Sequence, residues 1–201
     1  MTDKSEPVGA TPGDDISGLI ALSLTTKAAR DGAETESISR AYDKFIHRAR
    51  RKSRRTGWLT EEFIRTVHGE MFGAIWEWAG KYRTVELNIG VKPHQIRDQI
   101  QALCHDFLCW DSSEMPLLEI AARLQQRLTW IHPFKNGNGR HARLISDIFF
   151  YARENSLPRW PQIQLLTQGD KIRNEYIAAV KKADEQEFSL LIKFIKSCIP
   201  L

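Results

Sequence analysis

The sequence predicts an all-α protein, a helical bundle that carries one small β-hairpin. Apolar residues recur every three or four positions through most of the chain, which is the spacing of amphipathic helices. Helix starts are marked by a threonine N-cap and two acids at residues 60–62, and by Pro93 and Pro116. Only residues 81–91 alternate apolar and polar side chains, and a turn signal at residues 88–90 divides them.

The expected helices follow one another with short connections. They cover about residues 38–55, 60–79, 93–110 and 116–131, a segment from residue 139 to about 155, and residues 170–182 and 187–197. A hairpin of two strands is only marginally stable alone, so we expect the strands to lean on the helices.

Length and composition favour a single domain. The chain has 201 residues, of which 42% are hydrophobic, enough for one sizeable core. Residues 1–15 are rich in Gly, Pro, Thr and Asp, and we expect them to form a flexible tail. Residues 16–201 then form the domain, including an N-terminal helix.

Charge and cysteine content exclude several classes of protein. A net charge of +4 is too small to indicate nucleic acid as the partner. Three cysteines without a C-x-x-C pair argue against a disulfide framework or a zinc site. The N-terminus has no signal-peptide pattern and no apolar run reaches membrane-spanning length, so we expect a cytoplasmic protein without membrane contact.

A basic run at residues 48–55 ends the first predicted helix. Cations at a helix C-terminus are favoured by the dipole, so a solvated helix end is the simpler interpretation. A nucleic-acid patch is the alternative, but no aromatic residues interleave with the run to stack on bases.

The most informative stretch is residues 132–143, which leave one predicted helix and enter the next. Backbone N–H groups at a helix N-terminus lack acceptors, and the peptide dipoles add positive charge there. Gly137 and Gly139 allow the backbone to approach a phosphate closely. The loop therefore predicts an anion site.

Three ionisable side chains surround this loop. Arg140 and Arg143 lie three residues apart on one helix face and can reach further phosphates with forked donors. His132 precedes the loop and could accept a proton from an attacking hydroxyl. Each residue alone could be structural, but the ordered set predicts a nucleotide-phosphate site with its own base.

This stretch reads His-Pro-Phe-Lys-Asn-Gly-Asn-Gly-Arg-His-Ala-Arg, and it resembles the Fic-family signature His-Pro-Phe-x-(Asp/Glu)-Gly-Asn-Gly-Arg-x-x-Arg. The form with Asn at position 136 resembles the bacterial branch called mobile mystery protein B. The resemblance implies a Fic-like helical domain that transfers AMP from ATP, with magnesium, to a hydroxyl of a target protein. It implies that His132 is the general base. The phosphate-binding residues that it implies are Gly137, Asn138, Gly139, Arg140 and Arg143.

Asn136 departs from the family signature, which has a carboxylate there. A carboxylate would hold magnesium, whereas Asn offers a neutral oxygen, so we expect reduced rather than abolished magnesium affinity. The alternative is that Asn136 simply caps the loop through its amide.

Residues 81–91 correspond to the flap of Fic proteins, which aligns the target's side chain beside the histidine. By this resemblance, the target would dock on the flap through backbone pairing. The residues concerned are Arg83, Thr84, Asn88, Ile89 and Gly90.

Many Fic proteins also carry an inhibitory helix with the pattern (Ser/Thr)-x-x-x-Glu-(Gly/Asn). The nearest candidate here is residues 32–37, which place Glu36 opposite Arg143, although both ends of the pattern differ. Glu36 could instead be an acid favoured by the helix dipole.

Three functional hypotheses follow. The first is AMP transfer to a protein hydroxyl, and the second is transfer of another phosphate-containing group by the altered loop. The third is a non-catalytic module that binds a partner such as nucleic acid or an antitoxin-like protein. The presence of His132 argues against the third, since a phosphate binder needs no base.

Overall fold

The computed structural model describes residues 16–52 and 57–200. The α-helices of this part of the chain are α1 (Lys27–Lys52), α2 (Glu61–Phe72), α3 (Ile96–Asp111), α4 (Leu117–Ile131), α5 (Asn138–Glu154), α6 (Gln162–Leu166), α7 (Lys171–Asp184) and α8 (Ser189–Ser197). A single 3-10 turn, Pro93–Gln95, leads into α3. The expectation of an all-α fold is confirmed.

Most helix positions agree with the sequence analysis, and three differ. α1 begins at Lys27, because Thr26 Oγ1 accepts the Ala29 N–H (3.2 Å) and caps it well before the expected start. α2 begins as predicted at the Thr60 cap, but it ends at Phe72 rather than near residue 79. The short helix α6 was not expected. The tail predicted at residues 1–15 and most side chains of the basic run lie outside the described residues.

The predicted β-hairpin at residues 81–91 is wrong. Within residues 16–52 and 57–200 the only β-pairing consists of isolated bridges, one of them between Tyr82 and Phe134. Backbone partners of this segment lie at the end of α4 and in the loop after it: the Val91 N–H donates to Ile131 O (3.3 Å) and the Arg83 N–H donates to Pro133 O (2.9 Å). We call residues 81–91 the flap segment.

α4 and α5 form the centre of the molecule. Their contact surface contains the fully buried Ala121 and Ala142, and the Ser146 hydroxyl donates to Ala121 O (3.0 Å). Small side chains allow the two helices to approach closely. α1, α2 and α3 complete the main core around them.

A second apolar cluster joins the C-terminal helices to α4. It contains Trp160, Tyr176, Phe188 and Leu191 around the fully buried Ala122. The loop from α4 to α5 is held by the main cluster instead, which contains Ile131 before the loop, Phe134 within it and Ala142 after it. No helix in the described ranges is both long and apolar enough to cross a membrane.

Candidate active site

The loop between α4 and α5 is closed by its own asparagine. Asn138 Oδ1 accepts the Phe134 N–H (2.9 Å), and Asn138 Nδ2 donates to Phe134 O (2.8 Å). Both residues are buried, and the Phe134 ring is inaccessible to solvent. The two bonds satisfy backbone groups that would otherwise be buried without partners. They hold the loop in one shape.

His132 ends α4 in a left-handed conformation, with φ 51° and ψ 58°. A proline after it would favour an extended backbone, so this conformation is strained and held by its surroundings. His132 Nδ1 lies 3.2 Å from Thr129 O. A carbonyl oxygen only accepts, so Nδ1 carries the proton and Nε2 keeps its lone pair.

Burial, together with a smaller contribution from the nearby Arg83 charge, lowers the pKa of His132 to about 4. The hydrogen bond to Thr129 opposes this shift only in part. The imidazole is therefore neutral near pH 7, with Nε2 as the basic atom. This is the state that a general base requires.

The N-terminus of α5 is open for an anion. Gly137 precedes the helix with φ 75°, and no side chain caps the first turn. A Cβ at Gly137 would lie 2.4 Å from Phe72 Cζ, so only glycine fits between this ring and the helix. The first N–H groups of α5 are left without intrahelical acceptors.

The two motif arginines differ in their surroundings. Arg140 stands with its guanidinium 4.9 Å from the Phe72 ring centre. Arg143 is buried and lies over the rings of Trp160 and Tyr176, at 5.8 Å and 5.7 Å. Aromatic faces favour a cation at these positions.

Arg143 also points toward the start of α5. Its Nη1 lies 3.8 Å from the point where a Cβ on Gly139 would stand. Its Nε is buried without a hydrogen-bond partner among the described residues. Both arginines therefore lie at the helix start, as the sequence analysis expected of phosphate ligands.

The half-buried side chain of Asn136 is engaged within the loop. Its Oδ1 accepts the Gly137 N–H at 2.6 Å, so the side-chain oxygen considered for magnesium is engaged in the loop. Among residues 16–52 and 57–200, no three His, Cys, Asp or Glu side chains form a group able to hold a metal ion. The contact is the capping role that the sequence analysis held as its alternative.

The flap segment is fastened to His132 by one arginine. Arg83 Nε donates to His132 O (2.8 Å), and the same guanidinium donates to Val85 O (2.9 Å) and to Val91 O. Arg83 is buried despite its charge. Its fork replaces the strand pairing that a hairpin would have supplied.

Gly90 brings the far end of the flap segment against the histidine. Its φ is 95°, and a Cβ there would lie 2.6 Å from His132 Cβ. Arg83 and Gly90 thus belong to the site, whereas the structure records no bond from the side chains of Thr84, Asn88 or Ile89.

The expectation that Glu36 faces Arg143 is wrong. Glu36 is exposed and pairs with Arg40 on its own helix (2.8 Å). Glu34 reaches the motif instead: its Oε2 accepts from Arg140 Nη1 (2.7 Å) and its Oε1 accepts from Trp76 Nε1 (2.7 Å). The Glu34 side chain is only 8% exposed, so the pair is largely shielded from water.

The sequence analysis missed His68, which supports the loop from α2. The Gly80 N–H donates to His68 Nδ1 (2.9 Å), so His68 Nε2 carries the proton and donates to Asn136 O (3.0 Å). The ring stacks on Phe134 with centroids 3.7 Å apart. A histidine on the apolar face of a predicted helix is the only sequence signal for this role.

Comparison with known proteins agrees with the site geometry. The model of the Fic/DOC family matches residues 58–150. The chain is 26% identical over 124 residues to the protein adenylyltransferase Fic of Nematostella vectensis, which covers 60% of this chain and 27% of that protein. It is 33% identical over 78 residues to the protein adenylyltransferase fic-1 of Caenorhabditis elegans, covering 35% and 15%. The chain thus spans about a quarter or less of the length of these relatives.

Solved structures share the fold. The BepC protein of Bartonella tribocorum, crystallised with bound AMPPNP, superposes with a TM-score of 0.66 at 14% identity, covering 90% of each chain. Likeness at this identity establishes the architecture alone. The signature at residues 132–143 lies inside the matched region, and its histidine, asparagine and arginines meet around one helix start. Residues 58–150 of the chain therefore carry a domain of the Fic/DOC family.

Proposed function

We propose that the chain is a protein adenylyltransferase, which transfers AMP from ATP to a hydroxyl side chain of a target protein. The observation that carries the proposal is the neutral His132, whose Nε2 is the basic atom, in the loop that opens onto the N-terminus of α5. A phosphate site alone would not need a base held in this tautomer. The relatives named adenylyltransferases support the same activity.

Each part of the site has a task in this reaction. His132 Nε2 takes the proton of the target hydroxyl as its oxygen forms a bond to the α-phosphorus of ATP. The bond from that phosphorus to the β-phosphate oxygen breaks, and pyrophosphate leaves. The first amides of α5 and the two arginines, Arg140 and Arg143, stabilise the negative charge on the phosphates.

The test is to incubate the purified protein and a lysate with ATP labelled at the α or the γ phosphate. We expect protein-bound label from the α position only, and we expect His132→Ala to abolish it. His105→Ala is the matched control, since His105 is exposed on α3, away from the loop. Label from the γ position would show transfer of phosphate instead, and label that survives His132→Ala would contradict the proposed base.

We further propose that Glu34 restrains the enzyme. The carboxylate occupies Arg140, so a phosphate group must displace it before it can use this arginine. A pair that is broken in only a fraction of molecules lowers the apparent ATP affinity by that fraction. We therefore propose for Glu34 the inhibitory role that the sequence analysis considered for Glu36.

Glu34→Gln tests this restraint, because Gln can still accept the Trp76 N–H but loses its charge. We expect self-labelling from α-labelled ATP to rise about tenfold, the equivalent of about 1.4 kcal/mol released from the ion pair. Glu36→Gln, on the same helix, should leave the rate unchanged. Equal rates in the two variants would remove the proposed restraint.

A further inference from the structure

The loop between α4 and α5 contains no acidic side chain. Between His132 and Arg140 the only charged residue is Lys135, a cation whose Nζ contacts Ser17 Oγ (2.5 Å). Magnesium in nucleotide sites is ordinarily held by one or two carboxylates together with phosphate oxygens. The residue in the carboxylate position, Asn136, gives its Oδ1 to the Gly137 N–H (2.6 Å).

Carboxylates elsewhere around the arginines are also engaged. Both oxygens of Glu34 are bonded, one to Arg140 and one to Trp76. Asp147 lies below Arg143 and accepts from Trp160 Nε1 (2.9 Å) and from the Tyr42 hydroxyl (3.3 Å). Burial raises the pKa of Asp147 to about 8, so this carboxyl is largely protonated near neutral pH. The described residues therefore do not fit a magnesium ion.

We propose that this chain binds the triphosphate of its nucleotide without a divalent metal held by the protein. The positive charge comes from Arg140, Arg143 and the first turn of α5. This inference rests on the proposed function, and it concerns how the same site recognises its substrate.

Magnesium should not strengthen the binding of ATP to this chain. Magnesium bound to ATP removes negative charge and occupies the phosphate oxygens that the arginines would otherwise contact. In a site that supplies cations but no metal ligand, magnesium should leave affinity unchanged or lower it. In a site with a carboxylate, magnesium should raise affinity, because the ion bridges two anions.

The experiment is calorimetric titration of the full chain with ATP, in EDTA and in magnesium buffer. Because the Glu34 ion pair could mask binding, the titration uses wild type and Glu34→Gln. We expect the two buffers to give dissociation constants within about threefold, or tighter binding in EDTA.

Asn136→Asp is the matched variant, since an aspartate can still accept the Gly137 N–H and keep the loop intact. We expect its affinity to become magnesium-dependent by about tenfold. Manganese provides a second readout: with ATP present, its electron paramagnetic resonance signal should show protein-held metal in Asn136→Asp but not in wild type.

The outcomes separate this inference from the proposed function. ATP that binds wild type about tenfold more tightly with magnesium, or manganese held by wild type, overturns the inference and leaves AMP transfer standing. Metal-independent binding without protein labelling keeps the inference and contradicts the proposed function. Absence of ATP binding in both wild type and Glu34→Gln overturns both.

Discussion

At the scale of single residues, His132 shows how burial keeps a histidine neutral. The chain places it at the end of α4 in a left-handed conformation, where its Nδ1 proton is fixed by Thr129 O. Burial then lowers its pKa to about 4. Sequence singled out the residue, whose role as a base stays a prediction, but the tautomer depends on a carbonyl three residues away and the pKa depends on the packed surroundings.

A pH profile of kcat/KM for AMP transfer tests this state, because kcat/KM reports the free enzyme. A base must be neutral, so the rate falls as the pH drops through the pKa of the folded enzyme. We expect kcat/KM to stay level from about pH 7.5 to about pH 5 and to decline only toward pH 4. A kcat/KM that has already fallen by half at pH 6.5, the ordinary pKa of histidine, would contradict a pKa lowered by burial.

Gly137 lies too close to the Phe72 ring to accept a side chain. Gly137→Ala forces a Cβ to within 2.4 Å of Phe72 Cζ at a φ of 75°, so we expect it to lower the free energy of unfolding by about 1–3 kcal/mol. The matched control is Gly32→Ala in α1, where a Cβ meets nothing within 4 Å and should stabilise the helix by up to about 1 kcal/mol. Urea unfolding measures both, and equal effects would mean that the Phe72 contact yields freely.

Glu36 was expected to face the motif, but Glu34 is the acid on α1 that does so. Two positions along a helix are separated by about 200° around its axis, so Glu34 and Glu36 face opposite sides. Sequence showed both acids but not which side of α1 packs on the domain. The apolar pattern of residues 38–49 could have been extended backward through the helix, and it would have pointed to Glu34.

At the scale of elements, the flap segment shows where local patterns stop being informative. Alternation and a turn signal predicted strands paired with each other, yet the segment pairs with the loop after α4. A hairpin and a loop closed by Arg83 have similar local sequences. The difference arises from carbonyl groups near residue 132, far along the chain, which local pattern cannot reveal.

Arg83 joins the flap segment to His132. Arg83→Lys keeps the charge but loses the fork that joins His132 O to Val85 O and Val91 O. We expect the rate of AMP transfer to fall about tenfold or more, while ATP affinity changes less than about twofold. The acid limb of the pH profile should stay near pH 4, since lysine keeps the positive charge that helps to lower the pKa of His132.

Arg65→Lys is the control for that prediction. Arg65 donates to Gly80 O (2.9 Å) and lies over the Tyr82 ring, beside the flap segment, and no bond from it to His132 is recorded. Its rate should stay near wild type. If Arg83→Lys and Arg65→Lys behave alike, the flap segment does not depend on the Arg83 fork.

At the scale of the whole molecule, packing explains why so much of the helical framework was predictable. α4 and α5 bury apolar faces whose three-to-four spacing is plain in the sequence, and their helix bounds agree closely with expectation. Supporting residues such as His68 were missed, because a buried histidine in an apolar helix face carries no sign of its partners.

The two apolar clusters meet at the motif. Arg143 lies over Trp160 and Tyr176 of the C-terminal cluster, while Arg140 lies over Phe72 of the main core. The positions of the two arginines thus depend on different halves of the molecule. Sequence spacing placed both on one face of α5, but it could not show that each rests on its own aromatic surface.

We propose that His132 is the general base in the transfer of AMP to a protein hydroxyl. The most direct test is the intact mass of the Glu34→Gln protein after incubation with ATP, compared with that of the same variant carrying His132→Ala. We predict that the protein gains the mass of an adenylyl group and that this adduct disappears with His132→Ala. Adduct formation that is equal in the two proteins, or absent from both while ATP binds, would contradict the claim.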